Sequence, residues 1–379
     1  ASPGGDAGKV IVRAANGTAD IAAGSLLGSA AAKAGGARGE GGRFDLDVAT
    51  LTDFSTLNTA LNQGIFDGAR TLRVRTGDVS LAATDTVKAK DIHIAVDGGK
   101  LDVAGHVDAS GGDAGNIRLY AKNDVTVLAS AKLDAYATGN GKHGGEVEIG
   151  TTAGRLNLAA GSTLDVHGGS GAQASEGGEV LLRAPRTGGG AGSDVAVGSI
   201  NSNISGARSV VVEAVKVYDN ITTLTGSGAS SGTTLSLDTV NTDNTSFASH
   251  AAAITSRLGK ARDPVFHVRT GVEVRSAGDL ALSNNWNLAA RPAGEEPGML
   301  TLRAAGNLNL DNNLSDGFNV ATPFSSGTTP ATLLPGDSWG YRLVAGADAE
   351  AANPLAVRAG SGDVTLAAGK LVRTGTGDI

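Results

Sequence analysis

Two carboxylate pairs and six scattered histidines hold most of the reactive potential of this 379-residue chain. Asp102 with Asp108, in "KLDVAGHVDASGG", and Asp311 with Asp316, in "DNNLSDG", could supply an acid and a base, or hold calcium, if they converged in a groove. Asp in a Gly-rich turn is also what backbone chemistry favours, since its side chain accepts from nearby N–H groups. No basic residue accompanies either pair at regular spacing, so solvated turn carboxylates are expected. His93, His106, His143, His167, His250 and His267 fall singly, never at a metal-ligand spacing such as His-x-x-x-His. His93 in "DIHIAV" and His267 in "FHVR" occupy the polar phase of strand-like runs, which predicts surface imidazoles. There is no Gly-x-Ser-x-Gly elbow, and no Lys-Ser or Lys-Thr closes a phosphate loop. "GGDAGNIRL" and "GTGDI" match only part of the calcium nonapeptide. The expectation is a non-enzyme with no metal site and no cofactor.

Recognition needs other residues. Sugar sites favour an aromatic platform, and the Trp and Tyr residues are Tyr120, Tyr136, Tyr218, Trp286, Trp339 and Tyr341. Trp286 and Trp339 fall in stretches that read as projecting loops, which makes them the candidate ligand-binding residues. The competing reading is an aromatic that clamps its own loop. Composition narrows the classes further: with 57 Gly and 3% aromatic residues, a wide globular core is hard to build. Lys plus Arg number 31 against 38 Asp plus Glu, a net charge of -7, so no basic stripe exists to follow a nucleic acid. The longest apolar stretches, such as Val210 to Val217, stop far short of a membrane span. Cysteine is absent, which excludes a disulfide framework and leaves the compartment undecided.

Repetition organises the chain. Gly-Gly pairs begin at Gly4, Gly41, Gly111, Gly144 and Gly177, the last three 33 residues apart. A short alternating run follows each: Val10/Val12, Phe44/Leu46, Ile117/Leu119, Val147/Ile149 and Val180/Leu182. Period two is strand patterning. More runs follow within a unit, Val125/Val127 and Leu133 after the third pair, Leu156/Leu158 and Leu164/Val166 after the fourth. Three short strands cannot enclose a core alone, whereas stacked units bury a continuous one and pair each strand with those above and below. The expected fold is all-β, a parallel β-helix (solenoid) with short helical and loop insertions. Connections such as "GTTAG" and "HGGSGAQASEGG" lack the tight hairpin signal that an antiparallel sandwich needs. The intervening Arg118, Thr126, Glu148, Asn157 and Asp165 are expected on the wet face, so Ile149→Asp should be severe and Glu148→Ala nearly silent.

A second phrase recurs as "LRVRTGDVSL", "VEVRSAGDLAL", "LTLRAAGNLNL" and "AVRAGSGDVTL", with Arg75, Arg275, Arg303 and Arg358 before the bend. Gly at the bend tolerates positive φ, Asp or Asn can bond its local backbone, and the Arg is expected in solvent. Four stretches break the repeat and read as insertions: residues 49–70, 246–262, 284–298 and 311–340. The first carries a helical pattern from Asp53 to Gly64, with Leu57, Ala60 and Leu61 as its apolar stripe. The second carries one from Ser246 to Lys260, with Phe247, Ala251, Ile254 and Leu258. The other two, rich in Asn, Pro, Ser and Gly, read as loops.

The Gly-punctuated strands, "GSTLDVHGGSG", and the ordered series "FSTLNTALNQGIFDGARTLRVRTGDVSL", "LSDGF", "SWGYRLVAGAD" and "VRTGTGDI" resemble the large filamentous haemagglutinin-type exoproteins. The resemblance covers Gly4 to Ile379. It implies a right-handed β-helical stalk, secreted unfolded through an outer-membrane transporter by two-partner secretion, and used at the bacterial cell surface for adhesion or biofilm formation. Residues 1–379 are then expected to be one continuous section of a longer chain, about ten to fifteen coils and on the order of 50 to 70 Å long. A surface glycan, or a host or bacterial receptor, is the partner this predicts; nucleic acid is not. The rival readings are a polysaccharide-active β-helix lyase or hydrolase, and the delivery arm of a contact-dependent toxin system.

Overall fold

The computed structural model describes residues 5–30, 39–173, 176–292, 294–319, 324 and 331–379. Gly4 and residues 320–323 and 325–330 of the expected fourth insertion lie outside the described residues.

The alternating runs are parallel strands. Lys9–Thr18, Arg43–Thr50, Ala69–Val74, Asp91–Val96, Asn116–Ala121, Glu146–Thr151, Gly178–Thr187, Ala207–Tyr218, Phe266–Ser276, Met299–Ala304 and Gly340–Val344 lie side by side in that order in one long sheet. From Ala69–Val74 to Ala207–Tyr218, between visits to this sheet, the chain adds one strand to each of two shorter ones. After Glu146–Thr151 come Leu156–Leu158 and Thr163–Asp165, and then Gly178–Thr187 returns to the long sheet. Two further sheets repeat the scheme beyond Tyr218, one running from Thr234–Ser236 to Val364–Leu366 and the other from Trp286–Asn287 to Val372–Arg373. The fold is mostly β and built from parallel sheets.

Each circuit sets like on like. Ile117, Val147 and Val180 are register partners, as are Leu119, Ile149 and Leu182, and all six are 0–1% exposed. Glycine permits the approach between circuits: a Cβ on Gly145 would fall 1.9 Å from the carbonyl oxygen of Gly115, and one on Gly178 would fall 2.0 Å from that of Gly145. The bend residues differ from expectation. Asp78 accepts from the N–H of Lys100, Asp124 from Arg155 and Asp279 from Asn307, at 2.7–2.9 Å and 22–31 residues along the chain. These side chains tie one circuit to the next and not to their own turn, because the stacked backbone presents the nearer free N–H.

Helix α1, Phe54–Gln63, forms as its pattern predicts, with Asp53 accepting from Ser55 N–H at its start and Leu57, Ala60 and Leu61 buried. The second expected helix is two: α2, Leu237–Ala248, and α3, Ala251–Arg257. The break falls where the Ser249 hydroxyl and the His250 imidazole turn back to the Ser246 carbonyl, competing with the helical ladder. The first two turns of α2 contain Thr, Asn and Asp, which are poor helix formers, so local propensity hides them. Tertiary burial of Leu237, Val240 and Phe247 supports them instead.

The long sheet carries two cores. Ala207–Tyr218 and Phe266–Ser276 are 12 and 11 residues long, against six for the next strand, Met299–Ala304. Phe266 and Val268 pack into the first core with the strands before them, whereas Val272 and Val274 pack into the second with Leu300 and Leu302. Circuits after Phe266 therefore attach to the far halves of these strands. The two limbs so formed are not in line. Arg73 and Asp348 would be roughly 40 Å apart if eight strand spacings ran straight, yet their ion pair measures 2.7 Å. The straight rod expected from repetition is corrected: the sheet turns its outward face back on itself.

Ile149 is fully buried between Leu119 and Leu182. Ile149→Asp should lower unfolding free energy by more than about 3 kcal/mol, read from the urea midpoint.

Candidate functional site: a charged groove between two limbs

Where the outward faces of the limbs meet, they enclose a groove of about 750 Å3. His93, Arg118, Tyr120, Glu148 and Glu213 line it from the first limb, and Met299, Tyr341 and Arg342 from the second. Strand alternation puts these side chains there: Arg118 and Glu148 are register partners, and so are His93 and Arg118.

At the junction of the limbs lies a buried chain of charges. Glu273 receives Arg183, Arg303 at 2.8 Å and Arg275 at 2.6 Å, and Arg183 also reaches Glu213 at 3.3 Å. Arg342 crosses from the last long-sheet strand to Glu213 at 3.0 Å and lies 3.6 Å from Glu148. Burial alone would push the Glu273 carboxyl up; Arg183, Arg275 and Arg303 outweigh it and hold the group well below the usual carboxylate range. Glu148 shows the opposite balance. Its burial outweighs Arg342 and raises it, and burial likewise pushes the neighbouring Tyr120 phenol well above its ordinary value. A second set of contacts closes the groove further out. Arg73 bridges Asp97 at 2.5 Å and Asp348 at 2.7 Å, Asp97 accepts from Ala352 N–H at 2.8 Å, and Ala352 packs on Ala95 and Tyr120.

These contacts correct several expectations. Glu148 is 5% exposed and not on a wet face, so Glu148→Ala removes a buried group. Arg303, expected in solvent, is 2% exposed, while Arg358 at the same place in its phrase keeps a 59% exposed side chain. His93 is not a surface imidazole: its Nε2 is buried without a partner, and burial pulls its pKa down to about 4. All three errors have one origin, since alternation separates the two faces of a strand without saying what covers the second.

The other candidates disperse. Asp102 pairs with Lys100 at 3.0 Å, while the buried Asp108 takes Ser110 and Lys88. Asp311 is exposed, but Asp316 is fully buried, accepting from Trp339 N–H at 2.6 Å and from Arg291 at 2.9 Å. Neither Asp108 nor Asp316 is thus a solvated carboxylate: Asp108 caps its own turn through the Ser110 N–H and hydroxyl, whereas Asp316 holds the Trp339 N–H, which would otherwise be buried unpaired. His106 pairs with Asp134, His167 with Asp165 and His267 with Glu296. Among the described residues no group of three or more His, Asp or Glu has metal-binding geometry.

Trp286 and Trp339 are 1% and 2% exposed. Trp286 sits in a short strand beside Leu314, not in a loop, and its indole N–H reaches Asn241 of α2 at 3.2 Å. Both rings pack in the second core and present no face to solvent. The groove residues were missed because they come from strands up to seven positions apart in the long sheet, with only buried-looking charges inside otherwise apolar runs, such as Glu213 in "VVVEAV", as a signal.

What the groove can do is hold two limbs together. Glu273→Gln should cost about 3 to 5 kcal/mol at neutral pH, because Arg183 and Arg303 are left buried without their anion. Since the Glu273 pKa is depressed, this contribution is fully present above the ordinary carboxylate range and is lost progressively as pH falls from that range to the depressed value; chemical denaturation at about pH 3 should show it reduced but not abolished. Lys100→Ala, at an exposed pair, should leave the urea midpoint essentially unchanged. Trp286→Ala should cost about 3 to 5 kcal/mol in the same assay. No protein-family model, curated protein or solved structure matches the chain.

Proposed function

We propose that this chain is a section of a right-handed parallel β-helix (solenoid) from a secreted surface exoprotein, serving as a structural stalk in adhesion to cells or to biofilm matrix. The carrying observation is how the side chains are used: apolar residues form in-register columns from circuit to circuit, while charged residues pair with one another across circuits and limbs. Such an arrangement transmits position and leaves little free for turnover. The resemblance to filamentous haemagglutinin-type exoproteins supports the same reading, and with it a two-partner secretion transporter as the export partner and the bacterial cell surface as the site of action. With both indoles buried, any contact with a glycan or receptor is assigned to the exposed turns of the stack and not to Trp286 or Trp339.

The test is to immobilise the purified chain on beads and measure retention of bacterial and host cells, alongside incubation with pectin and alginate in the presence of calcium. The expected result is cell retention above that of uncoated beads, with both polymers intact. Calcium-dependent cleavage of either polymer would overturn the structural reading in favour of a polysaccharide-active enzyme.

A further inference from the structure

Two strands of the long sheet part company where the limbs separate. Phe266–Ser276 pairs with the earlier strand from its first residue, Phe266 opposite Val210, but its later neighbour, Met299–Ala304, begins only opposite Gly271. Run backwards, that register would set residues 294–296 against 266–268. Instead the two segments diverge, and a hollow of about 300 Å3 lies between them, within the size range of ligand sites. Phe266, Val268 and Thr270 line one side, Glu295 and Glu296 the other, and the small side chains of Ala251 and Ala252 on α3 form the floor.

The side toward Phe266–Thr270 is an unpaired strand edge. The Val265 carbonyl accepts from the Val210 N–H at 2.7 Å, so residues in phase with Val265 turn their backbone groups to the earlier strand. Val268 is out of phase with them and turns its N–H and C=O to the hollow, where no described strand stands opposite. Thr270, at the end nearer Gly271, is 2% exposed, and its hydroxyl has no partner. On the other side, Glu296 is taken by Arg269 at 2.9 Å and His267 at 3.1 Å. Among the described residues, the Glu295 carboxylate receives only the Thr245 hydroxyl of α2, at 3.3 Å, and no ion pair. Its nearest cations are engaged elsewhere, Arg186 by the carbonyls of Ala214 and Gly271 and Arg291 by Asp316.

We propose that this hollow receives a short extended peptide, which adds a strand to the Phe266–Thr270 edge and places a lysine or arginine on Glu295. Main-chain hydrogen bonds to Val268 supply the attachment, as in other strand additions, and the side chains supply the choice. Glu295 reaches toward α2, so it lies on the helical side of the gap with Ala251 and Ala252. Side chains on one face of a strand are two residues apart. The peptide is therefore selected for a small residue and a basic one at that spacing.

The probe is fluorescein-labelled Ala-Val-Lys-Val-Ala with blocked ends, titrated with the purified chain and followed by fluorescence anisotropy. Saturable binding is expected. The same peptide methylated at every backbone nitrogen cannot donate to the edge and should not bind. Glu295→Gln, or Glu in place of the peptide's Lys, should weaken binding by at least about tenfold. Ala252 is exposed on α3, so Ala252→Tyr narrows the hollow without disturbing a core; it should weaken binding similarly while its circular dichroism spectrum and melting temperature match the parent's. No saturable binding by the parent overturns the proposal, and so does binding that is unchanged in Ala252→Tyr or with the methylated peptide. Self-association of the chain in sedimentation that is lost in Ala252→Tyr would give the hollow to a second copy and overturn the peptide as its occupant.

Discussion

Each strand of the long sheet hydrogen-bonds to the strand one circuit before and the strand one circuit after, at the roughly 4.8 Å spacing of paired strands. Every circuit must therefore return to the same place within a fraction of an ångström. Apolar residues recur at matching register, as with Ile117, Val147 and Val180, because the inward-facing position of one strand lies directly over that of the next and shares its buried environment. Glycine recurs at 115, 145 and 178 because any side chain there would strike the carbonyl of the circuit beneath. Asp78, Asp124 and Asp279 recur because each new circuit begins with an N–H that its predecessor can satisfy.

The junction of the limbs obeys a different physics. Glu273, Arg183 and Arg303 are almost wholly removed from water, and removing charges from water costs several kcal/mol for each ion before their attraction is counted. Such a cluster adds little net stability, but it penalises every arrangement in which one member lacks its partner. Its effect is to select one angle between the limbs. Arg342 extends that selection by engaging Glu213, a residue 129 positions earlier in the chain.

The strand runs were legible because one covered face imposes a period of two, and the pairing of circuits was legible because equivalent residues recur. Helix α1 was legible through Asp53, its apolar stripe and Gly64. Less could be read where a residue's environment comes from distant parts of the chain. Glu148 and His93 alternate with apolar residues just as solvent-facing ones do, yet Arg342 lies against Glu148 and the Tyr120 ring packs edge-on against His93. Trp286 and Trp339 are set among Asn, Pro and Gly that look like loop, yet both pack among the leucines of the second core, where Tyr341 is the other buried aromatic. The offset that separates the limbs shows only in pairing, since Phe266–Ser276 takes its earlier neighbour along most of its length and its later neighbour along its far half alone, and periodicity does not reveal that.

Most contacts in the long sheet join residues about 25 to 60 positions apart, as with Ile117 and Val147 or Val212 and Val268. The bond from Ala352 to Asp97 joins residues 255 positions apart. Stacked circuits can add to one another as the chain winds, each closing only a modest loop, whereas the Asp97 contact has no geometry until both limbs exist. Most of the chain between Asp97 and Ala352 is tied into paired strands, so in the folded protein their meeting depends on how the limbs are oriented and not on the closure of a free loop of 255 residues.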